Sequence, residues 1–163
     1  MELVLIRHGI AEDREQWQGQ NDWLRPLTNE GRDKLKLLSG VYAKMISPVD
    51  VLVHSPLLRA QQTAEILLKS IKAKYTLESE VLAPDSNPTE FVKWVQDYPK
   101  AEKVVCVGHE PNLSQIASSL LMGSGRLNIQ FKKAGAMSLY FSDVIKEKSA
   151  RLDWLVTPKI ILQ

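Results

Sequence analysis

Leu3-Val4-Leu5-Ile6 is apolar at four consecutive positions. Successive side chains on a strand point to opposite faces, so a strand with no polar position is covered on both sides. Lys103-Val104-Val105-Cys106-Val107 repeats the signature a hundred residues later. Fully apolar strands of this length are the central strands of a mostly parallel sheet with helices on both faces. That requirement governs how the rest of the chain is read.

The intervening segments supply the helices. Thr28 is placed to N-cap a helix with Leu35, Leu38, Val41, Tyr42 and Met45 on one face and Ser47-Pro48 as its end. Val49–His54 is a second strand. Ser55 reads as the N-cap and Pro56 as the first residue of a helix running to about Ile71. A shorter third strand, Lys74–Leu77, precedes a loop over Glu78 to Asn87. Asn87-Pro88 then starts a helix bearing Phe91, Trp94 and Val95, closed by Pro99. After the fourth strand, Leu113, Ile116, Ala117, Leu120 and Leu121 mark a helix that Gly123-Ser124-Gly125 ends. Ala136–Phe141 and Leu152–Val156 are strand candidates, and the link between them is too short for a crossover helix. They are therefore expected to form an antiparallel pair at the sheet edge. The expectation is an α/β three-layer sandwich: a mostly parallel central sheet, an antiparallel C-terminal edge pair, helices on both faces and no lid subdomain.

Side chains of chemical interest stand where these strands end. Arg7 and His8 follow the first strand, Arg59 lies in the first turn after the second, and His109 follows the fourth. In open α/β sheets ligands bind beyond the carboxyl ends of the strands. Two arginines and two histidines on one rim make an anion site, and the chemistry that uses this set is phosphoryl transfer. A neutral imidazole can attack phosphorus, arginines hold the equatorial oxygens, and a second histidine stabilises charge or donates a proton. A metal site is disfavoured. His8, His54 and His109 show no close helical spacing, and the two arginines would repel a cation. His54 reads as a histidine hydrogen-bonded to backbone, and Cys106 as inert packing inside an apolar strand.

Composition adds exclusions. A chain of 163 residues with 44% hydrophobic and 25% charged residues suits one domain, taken as residues 1–163. A net charge of +2 gives no gross nucleic-acid or membrane signature. The single Cys106 rules out an internal disulfide framework and fits a reducing compartment. No apolar run approaches the ~20 residues of a membrane span. The N-terminal apolar stretch is too short for a signal peptide and runs directly into Arg7. A cytoplasmic protein is expected, with no cofactor.

Leu5-Ile6-Arg7-His8-Gly9 resembles the Arg-His-Gly signature of the histidine phosphatase superfamily, which includes cofactor-dependent phosphoglycerate mutase. Ser55-Pro56-Leu57-Leu58-Arg59-Ala60-Gln61-Gln62-Thr63-Ala64 and Val107-Gly108-His109-Glu110 resemble its second and third signatures. The short chain and Arg25-Pro26-Leu27-Thr28 look most like the SixA-type phosphohistidine phosphatases. The resemblance implies that His8 becomes phosphorylated, that Arg7 and Arg59 hold phosphate, that His109 completes the pocket, and that Arg25 is a further basic contact. It leaves the proton donor open. Asp22, in the first loop, occupies a place that SixA-like chains offer for an acid, and Asp85 and Glu90 lie after the third strand. The implied substrate is phosphohistidine on a protein, for example a signalling domain, because a short open rim suits a protein surface. The alternatives are a small-molecule phosphomonoesterase, acting on a phosphosugar or nucleotide, and an inactive phosphate-binding module.

Overall fold

The computed structural model describes residues 1–19, 21–123 and 127–163. The chain forms β1 (Glu2–Arg7), α1 (Asn29–Ile46), β2 (Val49–His54), α2 (Leu58–Leu67), β3 (Ala73–Glu78), α3 (Pro88–Gln96), β4 (Lys103–Gly108), α4 (Asn112–Met122), β5 (Ala136–Tyr140), β6 (Arg151–Val156) and the short α5 (Pro158–Ile161). The six strands make one sheet in the order β3-β2-β4-β1-β5-β6. β1, β2, β3 and β4 run parallel, and β5 is antiparallel to both β1 and β6. This is the α/β architecture expected from the sequence, with β1 and β4 at its centre.

The alternation within β1 decides the layering. Leu3 and Leu5 belong to one core, with α3 residues Phe91 and Val95 and α4 residues Leu113, Ile116 and Leu120. Val4 and Ile6 belong to the other, with Leu35, Leu38 and Tyr42 of α1 and Ala60, Ala64 and Leu67 of α2. Each fully buried Leu or Ile contributes about 1.5–3 kcal/mol by leaving water. The two faces together hold the sheet between its helix layers.

Several local details differ from expectation. α2 begins at Leu58 with Leu57 as its cap residue, and no side chain caps it. Ser55 is engaged elsewhere, as described below. α2 also ends at Leu67, and residues up to Ile71 continue as turns. On α1, Met45 is exposed and Ile46 takes the buried position, because the buried stripe runs Leu35, Leu38, Tyr42, Ile46. Of the glycine-rich end read after α4, Gly123 adopts φ +79 and donates its N–H to the Ser119 carbonyl at 2.8 Å. Ser124 and Gly125 lie outside the described residues, as does Gln20 in the first loop. Among the described residues, no helix is long and apolar enough to cross a membrane.

The segment before β5 braces β1 from a distance. Ala134 donates its N–H to the carbonyls of both Arg7 and His8, at 3.1 and 3.0 Å, and its own carbonyl accepts the Tyr42 hydroxyl at 2.6 Å. Ala134 holds φ +60, a left-handed conformation uncommon for a residue with a side chain. The end of β1 is thereby tied to α1 and to the last third of the chain.

Candidate active site

Three parallel strands end at one level. Arg7 of β1 is opposite Gly108 of β4, and His54 of β2 is opposite Val107. The ladder continues one step further: His8 donates its N–H to the Gly108 carbonyl at 3.0 Å, and Ser55 donates to Val107 at 3.0 Å. His8, Ser55 and His109 therefore leave the sheet side by side. The two imidazole centroids are 5.0 Å apart, with the rings tilted by 50°.

His8 is 6% exposed, and its Nδ1 lies 2.7 Å from the Gly9 carbonyl. A carbonyl can only accept, so Nδ1 carries the proton and Nε2 keeps its lone pair. Burial, then the positive neighbourhood of His109, Arg59 and Arg7, holds the His8 pKa well below the ordinary imidazole value. A neutral imidazole with a free Nε2 is the form that attacks phosphorus. The backbone around it is fixed. Gly9 donates its N–H to Thr63 Oγ1 at 3.1 Å, and the Thr63 hydroxyl donates to the Arg59 carbonyl at 2.7 Å. A Cβ at Gly9 would stand 2.5 Å from Leu35 Cδ1, so α1 packs closely on this turn only because the residue is glycine.

His109 is also buried, with Nε2 2.8 Å from Ser55 Oγ. Ser55 Oγ accepts the Leu57 N–H at 3.4 Å, and its own proton has His109 Nε2 as acceptor. That leaves the His109 proton on Nδ1, a buried atom with no partner. Burial, aided by Arg59 and opposed by Asp22, lowers the His109 pKa to about 3.

The arginines are held by part of their forks only. Arg7 donates from Nη1 to the Phe131 carbonyl at 2.6 Å, and Arg59 donates from Nη1 and Nη2 to Asp22, at 2.9 Å to the carbonyl and 3.1 Å to Oδ2. Nε of each is buried without a partner. Burial lowers both guanidinium pKa values, opposed by Glu110 at Arg7 and by Asp22 at Arg59. Buried donors without acceptors are uncommon. Here Arg7 Nε, Arg59 Nε and His109 Nδ1 belong to residues of one cavity, of about 980 Å³, which His8 also lines.

The other predicted residues reach the site in different roles. Asp22 and Arg25 line the cavity. Asp22 opens a 3-10 turn, Asp22–Leu24, started by Asn21 Oδ1 accepting the Trp23 N–H at 3.0 Å. Burial alone would raise its carboxyl, but the hydrogen bond from Arg25 and the charges of Arg59, Arg25 and Arg14 outweigh that and hold it below the ordinary carboxylate value. The Asp22 carboxylate is thus bonded by Arg25 and Arg59 and kept ionised by them. Arg25 donates to Asp22 at 2.7 Å and to the Glu12 carbonyl at 2.6 Å. Asp85 and Glu90 line the far wall and are exposed. That wall is fixed by Asn112, which donates to the Ser86 carbonyl and Oγ at 3.0 and 2.8 Å. His54 Nδ1 lies 2.9 Å from the Ser55 carbonyl, and Cys106 is buried with its thiol pKa raised by burial. Among the described residues, no group of three or more His, Cys, Asp or Glu could hold a metal ion.

The structure puts two further residues at the site to which sequence reasoning gives no place there. Ser55 was assigned to helix capping, and only the hydrogen bond to His109 reveals its use. Glu110 stands next to His109 in the third motif and lines the cavity. Its position in the motif was the available signal.

Residues 3–81 match the family model of the histidine phosphatase superfamily (branch 1). An uncharacterized protein of Picosynechococcus sp. is 36% identical over 141 residues, covering 85% of this chain and 84% of its own. The chain belongs to the histidine phosphatase superfamily. Its fold is that of the SixA-type structures: the protein histidine phosphatase SixA complexed with tungstate superposes with a TM-score of 0.83, at 20% identity and 99% coverage of both chains. A phosphoserine phosphatase from Entamoeba histolytica, solved with phosphoserine, gives 0.73 at 15% identity, covering 97% of this chain and 98% of its own. The family match spans Arg7, His8 and Arg59. His109 lies beyond it and is brought to the same place by the β1–β4 pairing.

Proposed function

We propose that the protein removes phosphate from phosphohistidine on another protein, by way of a covalent phosphohistidine on its own His8. One observation carries this reading: the free Nε2 of His8 shares a cavity with the unpartnered donors Arg7 Nε, Arg59 Nε and His109 Nδ1. A tetrahedral oxyanion supplies the acceptors these donors lack, and its phosphorus is the electrophile that the imidazole needs. His8 Nε2 bonds to phosphorus as the bond to the leaving group breaks. Arg7, Arg59 and His109 hold the equatorial oxygens, Asp22 keeps Arg59 in place, and Arg25 adds positive charge at the rim. Water then cleaves the N–P bond and restores neutral His8. Because the arginines provide the positive field, no metal ion takes part and a chelator leaves the rate unchanged.

The protein substrate is supported by the rim. Only residues 79–87 separate β3 from α3. On the other side Trp23 and Leu24 stand 47% and 60% exposed, with Trp23 in the cavity lining. A partner carrying phosphohistidine, such as a cytoplasmic signalling domain, would meet these apolar side chains. The test is acid-labile, alkali-stable phosphate trapped on His8 after mixing with a phosphohistidine-bearing protein. A wild-type protein that never carries it is not this enzyme. The phosphoserine phosphatase of the same fold makes small phosphomonoesters the second reading. Comparing kcat/KM for a phosphohistidine protein with kcat/KM for phosphoserine, phosphosugars and nucleotides separates the two.

A further inference from the structure

We propose that the turn Asp22–Leu24 makes this site select a phosphoryl group carried on a protein: its apolar side chains seat the incoming protein, and that contact steadies Arg59. The inference rests on the phosphohistidine-protein reading above and names the residues that would enforce it.

Two of the three residues in this turn are large and apolar, yet none of the three is buried. Trp23 and Leu24 belong to neither apolar core of the sheet. Hydrogen bonds hold the turn instead. Trp23 and Leu24 donate their N–H groups to Asn21, to its Oδ1 and its carbonyl, each at 3.0 Å. Asp22 accepts from Arg25 at 2.7 Å and from Arg59 at 2.9 and 3.1 Å. The turn is thus firmly aimed on its polar side and bare on its apolar side. Tryptophan and arginine are among the side chains most enriched at the anchors of protein interfaces. Arg14 adds one here, its side chain 81% exposed and 3.9 Å from Asp22.

The cavity decides what rests on this surface. Trp23 and His8 line the same cavity, with Arg14 and Arg25. A molecule seated on Trp23 while His8 faces its phosphorus therefore carries the phosphoryl group itself. A nucleobase can stack on Trp23, but a phosphosugar or nucleotide offers nothing to Leu24, which stands outside the cavity lining. A protein surface around a phosphorylated side chain covers both residues. The turn then passes the contact on to the phosphate site. Asp22 directly precedes Trp23, and its carbonyl and Oδ2 hold two nitrogens of Arg59 while Nε stays unpartnered. A partner that immobilises Trp23 restrains the backbone on which this clamp is built. Small esters bind without that restraint, so a protein substrate gains in kcat as well as in KM.

The test compares a phosphotransfer domain phosphorylated on its histidine with free phosphohistidine, which has the same leaving group and no protein surface. In the wild type kcat/KM should favour the domain. In Trp23→Ala/Leu24→Ala the ratio of the two values should fall about 30-fold, the scale of a lost interface anchor, with part of the loss in kcat. Trp23→Phe/Leu24→Met should recover most of it. In an Asp22→Asn background the alanine pair should no longer lower kcat, because the link to Arg59 is already cut. Thermal melting checks that each variant folds; Leu24→Ala alone is read if the pair does not. An unchanged ratio, or a wild type indifferent to the protein surface, overturns the proposal and leaves the His8 mechanism standing. A loss confined to Trp23→Ala and greatest for nucleotides assigns the tryptophan to base stacking and overturns it. So does a wild-type dimer that Leu24→Ala splits at constant ratio, which assigns the surface to a second copy. A loss wholly in KM overturns the link to Arg59. A wild type that forms no acid-labile phosphate on His8 overturns the underlying reading as well.

Discussion

The two ends of the parallel strands make an instructive pair. Both carry a charged cavity, and the one at the amino ends is larger, about 1330 Å³ against about 980 Å³. At the amino ends no buried side-chain polar atom among the described residues lining the cavity lacks a partner, and several charges are paired. Lys103 pairs with Glu2 at 2.9 Å, Asp50 accepts the N–H groups of Glu102 and Lys103 at 2.8 and 3.0 Å, and the Met1 ammonium donates to the Phe141 carbonyl at 2.8 Å. At the carboxyl ends the arginines are bonded through part of their forks only. Of the six buried side-chain polar atoms without partners among the described residues, four belong to residues lining the cavity of His8 and none to the larger one. Size and charge do not mark the reactive end; unmet hydrogen-bonding capacity does. The N-termini of α2 and α4 also open onto the His8 rim, adding their positive dipole ends to the arginines.

The sharpest way to break this comparison is His8→Ala. It should abolish phosphate release, by about 10⁵-fold or more on the scale of a lost nucleophile, with phosphate release as the assay; residual turnover near wild type would remove His8 from the mechanism. Next, Arg59→Ala should lower kcat by about 10²–10³-fold, the loss typical of a removed transition-state donor. Arg59→Lys should recover little, because a lysine cannot match the fork that Asp22 holds. If it recovers fully, only the charge matters and the geometric argument fails.

A third experiment uses pH. His8 and His109 have folded-state pKa values below 6.5, the latter at about 3. The unfolded chain therefore binds protons that the folded chain refuses as pH falls from 6.5, so stability falls with it. The slope is at most about 1.4 kcal/mol per pH unit for each histidine, measurable by denaturant titration at pH 7 and pH 5. A bound oxyanion should flatten this slope by stabilising the protonated imidazoles. A histidine-free variant with the same slope as wild type would refute the assignment. The mildest test addresses the other end: Asp50→Asn should cost about 1 kcal/mol, the scale of weakening a charge-assisted hydrogen bond, with kcat/KM unchanged. A large loss of activity there would show that the two ends are not independent.

Much of this was legible in the residues. The all-apolar β1 and β4 required a sheet covered on both faces, and strand-end logic located Arg7, His8, Arg59 and His109 because parallel strands finish at a common level. What escaped had physical reasons. Ser55 looks like a helix cap, since a serine before a proline fits that pattern, and its bond to His109 depends on a pairing between β2 and β4 that no local window contains. For the proton donor the resemblance leaves Asp22, Asp85 and Glu90 open, and no sequence window shows that two guanidinium groups bond the Asp22 carboxylate. Glu110 follows a histidine that the motif marks first, and its place in the cavity wall exists only in three dimensions. α5 is four residues long, too short for a periodic pattern.

The brace at Ala134 has a consequence for how the protein comes into being. A ribosome delivers Phe131 and Ala134 more than a hundred residues after Arg7 and His8. Until then β1 lacks the β5 neighbour that separates it from solvent, Arg7 lacks the carbonyl that aims it, and the His8 backbone is untied. A nascent chain halted near Met122 would bear both histidines and all the arginines of the pocket, yet lack the contacts that assemble it. Synthesis itself thus delays the moment at which the His8 imidazole is seated among its neighbours.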